Sequence, residues 1–219
     1  MEAILELDRV SKVFPTPDGP VTALTAISLA LRPGDVLAVR GPSGSGKTTL
    51  LLVAAGLLRP TQGSVQLAGQ RLYDLPAEAR AATRRQRIGM VFQEYYLLPY
   101  LSVLGNAMLA GLAAPLPDAE PRAKDLLTRF GLAHRFNHKP DALSAGERQR
   151  LALVRALLPS PRVLLADEPT GNLDEENATL VEHALREFAD GGGAVLLATH
   201  DERVAPAATA SLRLGSDRV

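Results

Sequence analysis

"DVLAVRGPSGSGKTTLLLVAAGLL", residues 35–58, decides how this chain is read. "DVLAVR" (35–40) is a short apolar strand, and the spacing predicts a helix from about Lys47 to Leu58. Between them, "GPSGSGKT" (41–48) satisfies G-x-x-x-x-G-K-[ST] at every fixed position. The order matters as much as the match: a phosphate-cradling loop has to follow a strand and open a helix. Gly41, Gly44 and Gly46 let the backbone of Gly41, Pro42, Ser43, Gly44, Ser45 and Gly46 curl until several N–H groups point inward. Lys47 reaches toward β- and γ-phosphates, and the Thr48 hydroxyl, next to Thr49, is a magnesium ligand.

Working outward, residues 3–14 and 21–31 read as strands with Asp18-Gly19 in the turn between them. Pro60 and Gly63 end the loop–helix unit, and "SVQLAG" is a further strand. Residues 76–87 read as a helix whose "RRQR" is a solvated basic face, and "IGMVF" (88–92) as a strand. From about 94 to 142 the texture becomes Leu-, Ala- and Pro-rich without alternation, which predicts a mostly helical sub-lobe. "RVLLA" (162–166) and "AVLLAT" (194–199) are apolar on both faces, as buried parallel strands are. A last short strand is expected near Ser211–Leu214. Strands alternating with helices make a doubly wound α/β core.

"VLLADE" (163–168) is an apolar strand ending in two carboxylates, 120 residues beyond Lys47. Ligands in such sheets bind at the carboxyl ends of strands. Asp167 therefore falls beside the phosphate loop as a magnesium ligand, and Glu168 one residue farther out, where a carboxylate accepts a proton from an attacking water. Gln93 ends another strand, and its amide suits either Mg²⁺ or the attacking water. His200 follows "AVLLAT" and can donate to a γ-phosphate. The remaining histidines, His134, His138 and His183, read as structural. His134 and His138 have a metal-like spacing, but no third ligand is evident beside them.

"LSAGERQR" (143–150) is locally a capping box: Ser144 caps, Glu147 reaches back, and Leu151, Val154, Leu157 and Leu158 follow as an apolar stripe. Ala145 and Gly146 leave the positive end of that helix nearly bare, which is an anion site.

The totals bound the rest. The chain has 219 residues, 46% of them hydrophobic, enough for one well-buried domain with a sub-lobe. Lys+Arg and Asp+Glu are both 24, a balance that argues against a general nucleic-acid binder. With no cysteine, disulfides and thiolate metal sites are excluded. The longest apolar run, Leu50–Leu58, is nine residues, too short to span a bilayer, and "MEAILELDRV" lacks the pattern of a signal peptide. A soluble intracellular protein is expected, one that can still sit on a membrane protein.

Together these motifs resemble the ATP-binding cassette (ABC) ATPases over essentially the whole chain, 1–219. Walker A is Gly41–Thr48, the Q-loop glutamine is Gln93, the signature is "LSAGE" (143–147), and Walker B is Val163–Asp167 followed by Glu168. The D-loop is "GNLD" (171–174) and the switch histidine is His200. "FQEYYLLPYLSVLGNAML", "LSAGERQRLALVRAL" and "LLADEPTGNLD" are similar to phrases of the lipoprotein-release, macrolide-efflux and cell-division ATPases. Two departures stand out: Ala145 replaces the first signature glycine, and Gly105 stands where glutamate is usual.

The resemblance implies a P-loop NTPase fold of the ABC type. It has a mostly parallel core sheet, an N-terminal antiparallel β region and a helical subdomain inserted at about 94–155. It also implies an ATPase using ATP and Mg²⁺, with Glu168, His200, Gln93 and Lys47 in the chemistry. Phe14 falls where the family stacks an aromatic on adenine, although a core phenylalanine is a fair rival. Two copies are expected to pair head to tail, so that Ser144, Gly146 and Glu147 of one copy, with Asp174 of the D-loop, meet the ATP of the other. The pair would drive a separate permease from the cytoplasmic side of the inner membrane. Lipoprotein, lipid or drug export is the first reading. A regulator signalling mechanically across the membrane, as in cell division, is the second. A DNA-repair or translation ATPase fits poorly, lacking a coiled-coil insertion, a second cassette and a basic surface.

Overall fold

The structure is a computed structural model that describes residues 2–112, 116–171, 173–200 and 208–215. Two sheets organise it. β1 (Leu5–Phe14), β2 (Val21–Leu31), β4 (Gln62–Leu67) and β5 (Gln70–Arg71) form an antiparallel sheet in the order β2-β1-β4-β5. β3 (Val36–Arg40), β6 (Ile88–Val91), β7 (Val163–Asp167), β8 (Ala194–Thr199) and β9 (Ala210–Arg213) form a parallel sheet in the order β6-β7-β8-β3-β9. The helices are α1 (Lys47–Ala54), α2 (Ala77–Arg87), α3 (Val103–Leu112), α4 (Ala119–Arg129), α5 (Ala145–Leu157) and α6 (Glu175–Asp190).

The parallel strands are apolar throughout because each serves two cores. Successive side chains of a strand point to opposite faces. Val163 and Leu165 of β7, with Leu196 of β8, pack into the core shared with α1 and the antiparallel sheet, beside Leu5, Leu50 and Leu67. Leu164 and Ala166, with Val195 and Leu197, pack on the other face against Leu153, Val181 and Leu185. A third core joins α3, α4 and α5 through Val103, Ala107, Leu127, Leu151 and Val154. α5 is therefore the hinge element of the packing. Its Ala152, Leu153 and Ala156 belong to the sheet core, and its Leu151 and Val154 to the helical one.

The helix expected over 47–58 is shorter. After Ala54 the amides of Leu57 and Leu58 both turn back to the Leu52 carbonyl, at 3.0 and 3.1 Å. Gly56, at φ +70°, supplies the left-handed step that ends the helix. At the entry to the helical lobe, Asn106 is fully buried. Its amide accepts from Leu98 N (2.7 Å) and donates to the carbonyls of Leu98 and Ser102, pinning an irregular segment that carries no strand or helix of its own. Among the described residues, no helix is long and apolar enough to cross a membrane.

Candidate active site

Four neighbouring strands of the parallel sheet, β6, β7, β8 and β3, lead at their carboxyl ends into Gln93, Asp167–Glu168, His200 and the 41–48 loop respectively. The predicted convergence is thus a consequence of strand order. Lys47, Thr48, Gln93, Asp167, Glu168 and His200 line one cavity of about 530 Å³, together with Pro42, Ser43, Gly44, Gly46 and Thr49. Pro42, Ser43, Gly44 and Ser45 also line a neighbouring cavity of about 560 Å³, closed by Thr22, Ala23, Thr25 and Arg213.

The loop's curl is set by close approach. Gly46 adopts φ +94° immediately before α1, and a Cβ there would collide with the Ala23 carbonyl oxygen of β2. A non-glycine residue would therefore meet both backbone strain and steric overlap. Ala23 lines both cavities, yet nothing in the pattern of β2 marks it. Only the folded contact does. Ser45 Oγ is buried beside Gly41 with no hydrogen-bond partner among the described residues, and a buried hydroxyl without one is costly.

Lys47 is 8% exposed, and its Nζ donates to the carbonyls of Gly41 (2.9 Å) and Pro42 (3.2 Å). The same ammonium lies 3.6 Å from Glu168 Oε1. Thr48 Oγ1 donates to Asp167 Oδ2 at 2.7 Å. Burial pushes the Asp167 carboxyl above the ordinary range. The Thr48 hydrogen bond and the Lys47 charge oppose that shift, and the neighbouring Glu168 charge adds to it. Thr48, Asp167 and Gln93 together offer hydroxyl, carboxylate and amide oxygens, the hard donor set that suits Mg²⁺.

Glu168 leaves β7 in a left-handed conformation, φ +46°, with its N–H bonded to the Ala198 carbonyl (2.8 Å). The turn aims its carboxylate across to the end of β8. There Oε1 lies 2.8 Å from His200 Nδ1, and Oε2 accepts from His200 N at 3.2 Å. Spacing along the chain gives no hint of this clasp, because 32 positions separate the two residues.

The other expected residues lie elsewhere. Phe14 is half-buried at the end of β1, opposite Val21, with the Lys12 ammonium 5.0 Å from its ring centroid. It is not among the residues lining either cavity. Ser144, Gly146, Glu147 and Asp174 are likewise outside them. Asp174 caps α6, accepting from Asn177 N at 2.8 Å, whereas Asn172 of the "GNLD" stretch lies outside the described residues.

The capping box is formed as read: Ser144 Oγ accepts from Glu147 N (3.1 Å), and Glu147 Oε2 accepts from Ser144 N (2.8 Å). Arg135 Nε adds a third bond, to Glu147 Oε1 at 2.9 Å. His134 lies 3.7 Å from that same oxygen. Among the described residues no group of three or more His, Cys, Asp or Glu is gathered to hold a metal. Burial works to raise the Glu147 pKa, but the Ser144 and Arg135 bonds outweigh it and hold the carboxyl below its ordinary value of 4.5. A carboxylate with a depressed folded value stabilises the fold above the unfolded value, and that contribution is lost as pH falls through the folded one. Glu147→Gln is therefore expected to lower the melting temperature at pH 7, with the gap to wild type closing below about pH 4. Thermal scans from pH 7 to 3 check this, and a gap independent of pH would contradict it.

A glycine-rich loop at the end of one parallel strand, an acidic pair at the end of a second, and an imidazole and an amide at two more define a P-loop ATPase site. The ABC transporter family model matches residues 24–171. The ATP-binding protein LolD of the lipoprotein-releasing system of Maricaulis maris is 46% identical, over 92% of this chain and 90% of that protein. The macrolide export ATP-binding/permease protein MacB of Rhodopseudomonas palustris is 42% identical over 96% of this chain, which spans only 32% of MacB. The dimeric structure of MJ0796, a bacterial ABC transporter cassette, superposes with a TM-score of 0.89 at 32% identity, covering 96% of this chain and 94% of that one. Its dimeric post-hydrolysis state bound to ADP and Pi gives a TM-score of 0.90. The chain belongs to the ABC transporter family. It is an ATP-hydrolysing, nucleotide-binding cassette with the expected α/β fold.

Proposed function

We propose that this ATPase works as a head-to-tail pair of chains that drives a separate membrane-embedded permease. Each ATP is held by the 41–48 loop, Gln93, Asp167, Glu168 and His200 of one copy, and by the Ser144–Gly146 helix start of the other. One observation carries the reading. The helix start is capped, and Ser144 is exposed on it, but it is absent from the cavity where the other motif residues gather. The remaining free N–H groups of a helix N-terminus still attract an anion, and in a head-to-tail pair that phosphate comes from the other copy. The dimeric state of MJ0796 in both solved cassettes supports the pairing.

Thr48, Gln93 and Asp167 would hold Mg²⁺, which supplies charge neutralisation at the β- and γ-phosphate oxygens. Lys47 and the loop's N–H groups bind phosphate. Glu168 accepts the proton of the attacking water, and His200 orients Glu168 and reaches the γ-phosphate. The family's usual adenine platform would fall at Phe14. Glu147 acts through Ser144 by holding the cap, and Asp174 acts from the loop before α6. We assign residues 1–219 to one ATP-binding domain, with the helical subdomain at about 94–155 supported by its own apolar core. The working site is the cytoplasmic side of the inner membrane. MacB's name joins ATP-binding to permease function, which supports a permease as the partner of this cassette. LolD and MacB together favour export of lipoprotein, lipid or drug.

Ala145→Asp tests the shared site. Ala145 is half-buried at the first position of α5, and a carboxylate there favours the helix dipole by about 0.3–1 kcal/mol, so the fold is retained. Against a partner's γ-phosphate the same charge repels. The variant is expected to bind ATP as a monomer but neither dimerise nor hydrolyse. Mixing it with Lys47→Ala chains creates one site with both lesions and one with neither. The mixture should hold one nucleotide per heterodimer and regain part of the turnover. Heterodimers that form yet retain no nucleotide and no activity would overturn the shared site.

A further inference from the structure

The starts of α5 and α6 lie against each other, and one side chain joins them. Asn177 is the third residue of α6. Its Nδ2 donates to both oxygens of Asp174, at 2.8 and 2.9 Å. Its Oδ1 accepts from Arg150 Nη1 on α5. The amide also occupies the space in which a side chain at position 146 would begin. A Cβ built on Gly146 would strike the Asn177 amide, with Nδ2 at 2.9 Å. Gly146 is buried inside a regular helix and its φ is not in the left-handed region, so its lack of a side chain is a packing requirement.

Capping does not explain this amide. The cap of α6 uses the backbone N–H of Asn177, 2.8 Å from Asp174 Oδ1, which any residue but proline would supply. What the side chain adds is the cross-link: two bonds that fix the Asp174 carboxylate and one acceptor for Nη1 of the Arg150 guanidinium, whose Nε is buried with no partner among the described residues. Without it, the Asp174 carboxylate would keep, among the described residues, only the cap bond, and Arg150 would lose the acceptor that ties it to α6.

We infer that Asn177 is a positioning residue that locks Asp174 to the signature helix, so that both meet the partner copy as one rigid surface. The inference rests on the shared-site reading above. It predicts that the lesion is felt in the ATP site of the other chain and not in the site on its own chain.

Two variants separate the parts of the link. Asn177→Ala removes both halves and keeps the backbone cap. Asn177→Asp keeps an acceptor for Arg150 but replaces the donations to Asp174 with repulsion between two carboxylates. Both are expected to stay folded, melting within about ten degrees of wild type, and to keep monomer affinity for a fluorescent ATP analogue. Both should lose ATP-dependent dimerisation and about tenfold to a hundredfold in kcat, the scale of a misplaced reacting group. The deciding measurement is turnover in mixtures with Lys47→Ala chains. There, ATP on the Asn177→Ala chain faces an intact helix start and loop from its partner, so turnover should recover. Wild-type turnover in Asn177→Ala alone, no recovery in the mixture, or global unfolding of both variants would overturn the inference. The Ala145→Asp mixture run alongside identifies which idea fails. If it recovers while the Asn177→Ala mixture does not, only the role of Asn177 is lost. If neither recovers, the shared site falls and the inference with it.

Discussion

Glu168→Gln is expected to bind ATP as well as the wild-type chain and to hydrolyse it about 10²–10⁴ times more slowly, the range for loss of a general base. The geometry makes this a clean substitution. The Glu168 side chain is 8% exposed, held by His200 at 2.8 Å and flanked by the Lys47 ammonium at 3.6 Å. Glutamine has the same shape and still accepts from His200 N, so the left-handed turn after β7 has no reason to relax. What it lacks is the basicity that the proposed mechanism requires of Glu168. The lost charge acts in the opposite direction on binding. Glu168 is one of the causes that raise the Asp167 pKa, so its neutralisation favours an ionised Asp167 beside Thr48. A negative charge is also removed from the neighbourhood of the nucleotide. The variant should therefore accumulate as an ATP-bound dimer, visible by size-exclusion chromatography with ATP, while steady-state phosphate release nearly stops. Turnover close to wild type would remove Glu168 from the role of base.

Lys47→Ala is expected to weaken ATP itself. In the proposed site its ammonium would give a charge-assisted hydrogen bond to phosphate in a loop whose other donors are mostly backbone N–H groups, and such bonds are worth about 1.5–3 kcal/mol. That is roughly a tenfold to hundredfold loss of affinity. The contacts of Lys47 explain why a smaller neutral residue cannot substitute. The ammonium bridges the carbonyls of Gly41 and Pro42 and sits 3.6 Å from Glu168. Its removal leaves two carbonyls and the Asp167–Glu168 pair without the cation between them, so the site repels phosphate more strongly than the lost bond alone implies. Equilibrium titration with a fluorescent ATP analogue measures the effect, and unchanged affinity would show that Lys47 does not meet the phosphates. Lys47→Ala should lose nucleotide and hydrolysis together, whereas Glu168→Gln loses hydrolysis alone. The pair therefore separates binding from chemistry at two residues that touch.

The amino-acid sequence by itself determined the elements and the chemistry each carries. β3, β7 and β8 are apolar on both faces, so they read as buried strands wherever they pair. The loop at 41–48 is legible because phosphate binding needs glycines at fixed offsets, and the start of α5 because a capping box is a contact between residues three apart. Each of these signals depends on near neighbours in the chain, and local sterics and hydrogen bonding are enough to produce it.

The sequence put Gln93, Asp167, Glu168 and His200 at strand ends around one site, but only the tertiary structure decided the contacts made there and elsewhere. Strand order brought Gln93, Asp167, Glu168 and His200 to one cavity. The approach of β2 put the Ala23 carbonyl against Gly46. The packing of α6 on α5 set the Asn177 amide on Gly146, so a glycine that looks like a bare anion site in the sequence is also a seat for a side chain 31 positions away. α5 faces two cores at once because the helical lobe and the parallel sheet both close on it, which a single apolar stripe in the sequence does not distinguish. Periodicity specifies which face of an element is apolar, but not which other element covers it. That choice depends on which pairings of elements far apart in the chain bury the apolar faces together, and it is made only when the whole chain packs.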